Sequence, residues 1–125
     1  MAYVYFNPNP DSKSVKDCAV RAICAAENIP WEMAYDELCA TGRTLHVMPD
    51  SSIVFKAYLQ SIGYVCHALP NTCPICYTVS DFSKDHPYGI YILCSGEHVV
   101  TVINGDYYDN WNSADEVPLY FYTKE

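Results

Sequence analysis

Residues 96–111, GEHVVTVINGDYYDNW, decide how this chain folds. Asn104-Gly105 is a strong short signal for a two-residue β-hairpin, because both turn positions need positive φ and Asn and Gly adopt it at least cost. The flanking segments, His98–Ile103 and Asp106–Trp111, are rich in β-branched and aromatic residues, as paired strands are. With that turn, Ile103 faces Asp106, Val102 faces Tyr107 and Val100 faces Asp109. Side chains alternate along a strand, so His98, Val100 and Val102 share a face with Tyr107, Asp109 and Trp111. Asp109 then lies diagonally beside His98. Asn110 points away, and a slip of one residue would bring Asn110 or Asn112 forward instead.

Working outward, Gly89–Cys94 reads as a strand before the hairpin and Leu119–Thr123 as one after it. Tyr64–Leu69 and Tyr3–Phe6 add two more. The first half is helical in its spacing. Ala19, Val20, Ile23 and Ala26 recur at about one turn from Asp17 onward, and Asn28 and Pro30 end that helix. Trp31, Tyr35, Leu38 and Cys39 form one face of a second helix, read as core, with Gly42 as its stop. Asp50 or Ser51 caps a third helix with an apolar stripe at Val54, Phe55, Tyr58, Leu59 and Ile62, closed by Gly63. Pro70–Cys76 is a loop, and Val79–His86 a short helix ended by Pro87. Helices first and an antiparallel meander afterwards make an α+β fold, with N-terminal helices packed on an antiparallel β-sheet. The chain of 125 residues is expected to form a single domain, 1–125.

Composition narrows the function. Seven Lys+Arg against fifteen Asp+Glu give a net charge of −8, which repels a nucleic-acid backbone, so no nucleic-acid partner is expected. No apolar run approaches the roughly 18 residues of a membrane span, so no membrane partner is expected either. Met1–Asn9 has neither a basic start nor a long apolar stretch, so a secretory signal is not expected. The seven cysteines are an odd number without the spacing of a disulfide framework. A reducing, cytoplasmic setting follows, with thiols free, metal-bound or catalytic. The twelve tyrosines read as packing on strand faces.

Cys18 stands apart from the other thiols. It opens the first helix, where the helix dipole and unpaired amides favour the reactive thiolate. Cys24, Cys39, Cys66 and Cys94 lie in apolar patterns and read as inert core. A helix-borne Cys, a strand-borne His and an acid on the next strand form a nucleophile–base–orienter set: Cys18, His98 and Asp109. His98 takes the thiol proton and returns one to the leaving group, while Asp109 holds the ring and Trp111 shields the pair. The Cys18 amide supplies one oxyanion donor, since first-turn amides lack helical partners. Asn7 and Asn9, in the preceding loop, are candidates for the second. Arg21, one turn after Cys18, either pairs with Asp17 or lends positive charge to the thiolate or to a substrate carboxylate.

Asp17-Cys18-Ala19-Val20-Arg21-Ala22, Gly96-Glu97-His98-Val99-Val100 and Tyr107-Tyr108-Asp109-Asn110-Trp111 together resemble the papain-like cysteine peptidases in the order Cys-helix, His-strand, acidic strand. More narrowly, Asn7-Pro8-Asn9-Pro10 through Arg21-Ala22, Thr78–Phe82, His86-Pro87 and Trp111-Asn112-Ser113 look like a group of small bacterial and phage proteins. The resemblance implies Cys18 as nucleophile, His98 as base and Asp109 as orienter, without a cofactor. Several papain-like enzymes use an upstream Gln for the oxyanion; no Gln precedes Cys18 here.

The expected function is a thiol hydrolase of peptide or isopeptide bonds, acting through a covalent acyl-enzyme on a peptide or protein substrate. An acidic surface suits neutral or basic segments. Amide transfer of the transglutaminase type uses the same three groups. A non-catalytic papain-like binding module, such as a phage-type inhibitor, is the alternative of a different class, for which a tyrosine-rich surface is suited. A weaker competing site uses Cys73 and Cys76, one of Cys66 or His67, and a distant His46 or His86 as zinc ligands. Adjacent Cys66 and His67 would point to opposite faces of a strand, and the simplest reading of Cys73 and Cys76 is a pair of nearby loop thiols.

Overall fold

At the centre of the fold, the computed structural model, which describes residues 2–124, turns the chain at Asn104 and Gly105 with φ of 49° and 82°. Those paired positive angles match the turn type that suits a right-twisted hairpin. The strands on either side, β4 (Val99–Ile103) and β5 (Asp106–Asp109), pair in the expected register: Ile103 with Asp106, Val102 with Tyr107, Thr101 with Tyr108. The remaining elements are β1 (Tyr3–Tyr5), α1 (Cys18–Glu27), α2 (Trp31–Leu45), α3 (Ser52–Ser61), β2 (Tyr64–Ala68), α4 (Val79–Asp85), β3 (Ile90–Cys94) and β6 (Tyr120–Lys124).

The fold is α+β, but two details of the sequence expectation are corrected. The sheet is mixed rather than antiparallel. Its order is β1-β5-β4-β3-β6-β2, and the edge strand β1 runs parallel to β5. The helices are not all N-terminal: β1 precedes α1, and α4 lies between β2 and β3. No helix among the described residues is long and apolar enough to cross a membrane.

Helices cover both faces of the sheet. Ile92, Cys94 and Tyr122 pack beneath α1, α2 and α3, together with Ile23, Leu38 and Leu59. Leu93, Val100, Val102 and Tyr107 pack on the opposite face against Val79 and Phe82 of α4. Burial on both faces explains why β3 reads as a continuous apolar run instead of alternating. Ile23, Leu59 and Phe82 are fully buried, each contributing about 2 kcal/mol of apolar burial. The Thr101 hydroxyl donates to the Ala22 carbonyl at 2.8 Å and ties α1 to β4.

Local signals fixed the helix ends with one exception. Ser51 caps α3 by accepting from the Ile53 amide, and Asn28 closes α1 in the left-handed region. Gly42 does not stop α2, which continues to Leu45. Its role is close approach, since a Cβ there would sit 2.6 Å from the Val47 carbonyl oxygen. The buried stripe of α2 is Ala34, Leu38 and Gly42, so Tyr35 is half exposed and Trp31 only partly covered.

Candidate active site

Cys18 is the first residue of α1. Asp17 precedes it in the cap position but makes no capping hydrogen bond, so the first-turn amides are left without that side-chain acceptor. The sulfur is met by the His98 ring and by the Val99 amide. Burial pushes the thiol up. Hydrogen bonds from His98 and Val99, with the charges of His98 and Arg21, outweigh it and hold Cys18 below the usual thiol range. Elsewhere burial prevails: it pushes Cys24 up to about 11 and Cys94 up to about 12. The contrast sets Cys18 apart from these two buried thiols.

His98 sits immediately before β4. A tight turn delivers it there, with the Ser95 amide donating to the His98 carbonyl at 2.9 Å and Gly96 at φ +100°. Its Nε2 lies 2.5 Å from Asp109 Oδ2, which leaves Nδ1 for the sulfur. Burial disfavours the charged ring, but hydrogen bonds to Asp109 and Cys18 push His98 up to about 9. A thiol lowered and an imidazole raised favour the thiolate–imidazolium pair at rest. Trp111 covers the ring with centroids 4.8 Å apart, in the place expected for it.

Asp109 is fully buried, and both of its oxygens are engaged. Oδ1 accepts from Arg21 Nε at 3.0 Å and from the Asn110 amide at 2.9 Å. Oδ2 accepts from the Ser113 hydroxyl at 2.8 Å and meets His98. Burial works against the carboxylate, yet these hydrogen bonds and the His98 and Arg21 charges hold it below the usual range. An ionised carboxylate that cannot rotate is suited to fix an imidazole.

Arg21 is buried and bridges two acids. Its Nη1 lies 2.5 Å from Asp17 Oδ1, and its Nη2 lies 3.0 Å from Asp109 Oδ1. The expected pairing with Asp17 is present, whereas a substrate-carboxylate role is corrected: the guanidinium is already occupied by two carboxylates. Sequence reasoning missed Ser113 and the use of Trp31, whose Nε1 donates to Asp17 Oδ2 at 2.9 Å. Trp31 read as core because its helix position is apolar; the indole N–H was the available signal, since a covered indole seeks an acceptor.

Asn7 and Asn9 are corrected as oxyanion donors, since neither borders the cleft over Cys18. Asn7 donates from Nδ2 to the Lys13 carbonyl, and its oxygen accepts from the Asn9 amide. Asn9 accepts from the amides of Asp11 and Lys13. Both side chains shape the loop before the nucleophile. An open cleft of about 690 Å³ lies over Cys18 and His98, bordered by Val15, Lys16, Glu97, Asn110 and Trp111. Asn110, turned out of the Asp109 face by strand alternation, contributes to this wall.

The competing zinc set does not assemble. Cys73 and Cys76 are joined in a disulfide, which corrects the reading of both as free loop thiols and leaves no thiolate for a metal. Cys66 pairs across from Tyr122, while the His67 ring stacks on Phe121 at 5.1 Å. His46 ends α2, and His86 ends α4 against Phe82. No cluster of three or more His, Cys, Asp or Glu arranged to hold a metal occurs among the described residues. No family model, curated protein or solved structure matches the chain.

Proposed function

We propose that this protein is a thiol hydrolase that cleaves amide bonds, of peptide or isopeptide type, through an acyl-enzyme on Cys18. The observation that carries the reading is the contact of Cys18 with His98 and of His98 with Asp109 beneath an open cleft, with the thiol held below its ordinary range and the imidazole above its own. The helix-borne cysteine followed by the strand-borne histidine and acid also supports kinship with papain-like cysteine peptidases.

Each group has one task. The Cys18 thiolate attacks the carbonyl carbon, and the amide of Cys18 donates to the resulting oxyanion. His98 gives its proton to the departing amine as the carbon–nitrogen bond breaks. A water then enters, and His98 takes one of its protons while the oxygen attacks the thioester. The acid leaves, the thiolate is regenerated, and the net reaction is amide plus water to acid plus amine. Asp109 keeps the ring in register throughout, as an orienting carboxylate does.

An activated acetyl ester such as p-nitrophenyl acetate tests this directly. The expected result is an acetyl adduct on Cys18, a burst of p-nitrophenol and continued turnover, all lost in Cys18→Ala. An adduct that never turns over, or forms no faster than on an ordinary exposed thiol, would overturn it.

A further inference from the structure

We infer that Asp17 and Trp31 are positioning residues for the Cys18–His98 pair, acting through Arg21 on Asp109. This rests on the hydrolase reading only in taking that pair as the reactive centre. Asp17 occupies the cap position of α1, where an Asp normally accepts from a first-turn amide. Here it makes no such bond. Its two oxygens are turned to Arg21 and to the Trp31 indole instead. From there the connection is unbroken: Arg21 to Asp109, and Asp109 to His98. Trp31 opens α2 and is held by stacking on Tyr35 at 5.0 Å, so the packing of α2 sets the carboxylate that adjoins the nucleophile.

The cluster also has a charge logic. Arg21 is nearly inaccessible and lies between two carboxylates. With Asp17 ionised, Arg21 is neutralised and Asp109 is free to act on His98. Without that charge, Arg21 keeps only Asp109 as its anion, and its positive charge bears more strongly on the imidazole. Asp17 is faced by Arg21 and Cys24 on α1, by Trp31 on α2, and more distantly by Glu32 through the charge both exert on Cys24. Asp109 is faced by His98, Arg21, Ser113 and Tyr3 of β1, whose hydroxyl donates to the Asp109 carbonyl. Lys16 and Glu97 stand at the rim of the cleft. Removing a negative charge at Asp17 makes the thiolate easier to form and the imidazolium easier to deprotonate. Both ionisations therefore move in the same, acidic, direction.

The test is the rate of Cys18 alkylation by iodoacetamide across pH, read on the full chain and on the Asp17→Asn and Trp31→Phe variants. The wild type should show two inflections, one for the thiolate and one for loss of the imidazole proton. In D17N both should move toward acid by roughly half a pH unit. Trp31→Phe, which keeps a ring but loses the N–H, leaves the Asp17 charge less offset and should move them less and in the opposite, alkaline, direction; it carries the test alone if D17N does not fold. A D17N protein that folds with both inflections unmoved, or a W31F profile identical to wild type, overturns the inference while the reactive pair stands. A wild-type Cys18 that reacts no faster than Cys39 overturns the reactive-pair reading, and this inference with it.

Discussion

Two regions of this chain offer cysteine and histidine, and only one of them, among the described residues, brings a thiol, an imidazole and a carboxylate into contact. Around Cys66, His67, Cys73 and Cys76 the residues are close in sequence, yet Cys73 and Cys76 bond to each other and His67 stacks on Phe121. Around Cys18, His98 and Asp109 the partners come from opposite halves of the chain; Arg21 and Asp109 are 88 residues apart. The distant set converges because α1 packs on β4 and the Asn104-Gly105 turn fixes the register. Neighbours along one strand alternate between faces, so adjacency hinders a shared site, whereas strand pairing and helix docking create one. Proximity in space is a product of the core, and the core is long-range.

The contrast breaks most visibly at the nucleophile and its base. Cys18→Ala should abolish acyl transfer. His98→Ala should slow it by about 10²–10⁴-fold, the usual scale for a general base, as measured by ester turnover. Next comes Asp109→Asn. It should slow turnover by roughly 10²-fold or more, with the fold weakened by about 3 kcal/mol, since the buried Arg21 loses a charged partner. Urea denaturation beside a turnover assay reads both effects.

In the other region the expectation reverses. Cys73→Ser with Cys76→Ser should cost about 2 kcal/mol or less, because a disulfide across so short a loop restrains little of the unfolded chain. Cys18 alkylation should stay within twofold of wild type. A tenfold change would show that the two regions communicate, and the contrast drawn here would fail.

The smallest effect is on stability against pH. His98 is raised to about 9 from its ordinary 6.5, so the folded form holds the proton more tightly. Its contribution is fully present below about 6.5 and is lost as pH rises through about 9. Asp109 is lowered, so its contribution is present above the ordinary carboxylate value of about 3.9 and is lost as pH falls below it. Melting temperature should form a plateau between these limits, and His98→Gln should flatten its alkaline edge.

Much of this site was legible from residue order alone. The Asn104-Gly105 turn determined that Asp109, not Asn110, would stand beside His98, and the onset of apolar spacing after Asp17 placed Cys18 at a helix start. The rest lay in long-range closure. Nothing local in Tyr3–Tyr5 specifies a parallel partner, which β1 finds in β5 only after the hairpin exists. Arg21 was placed beside the nucleophile but not against Asp109, and nothing local marked Ser113 as a partner of that acid; the fold encloses Asp109 between them. Asn7 and Asn9 carried suitable chemistry, but their side chains organise the loop itself, Asn7 through its amide N–H and Asn9 through its oxygen, and neither borders the cleft. Gly42 was ambiguous because a helix stop and a close backbone approach both select glycine.

The central claim is that Cys18 and His98 rest as a thiolate and an imidazolium. An NMR titration of the His98 ring tests it most directly. The account predicts that the wild-type ring loses its proton near pH 9 and that Cys18→Ala moves this step clearly toward acid. A wild-type ring titrating near 6.5, indifferent to the loss of the Cys18 sulfur, would contradict it.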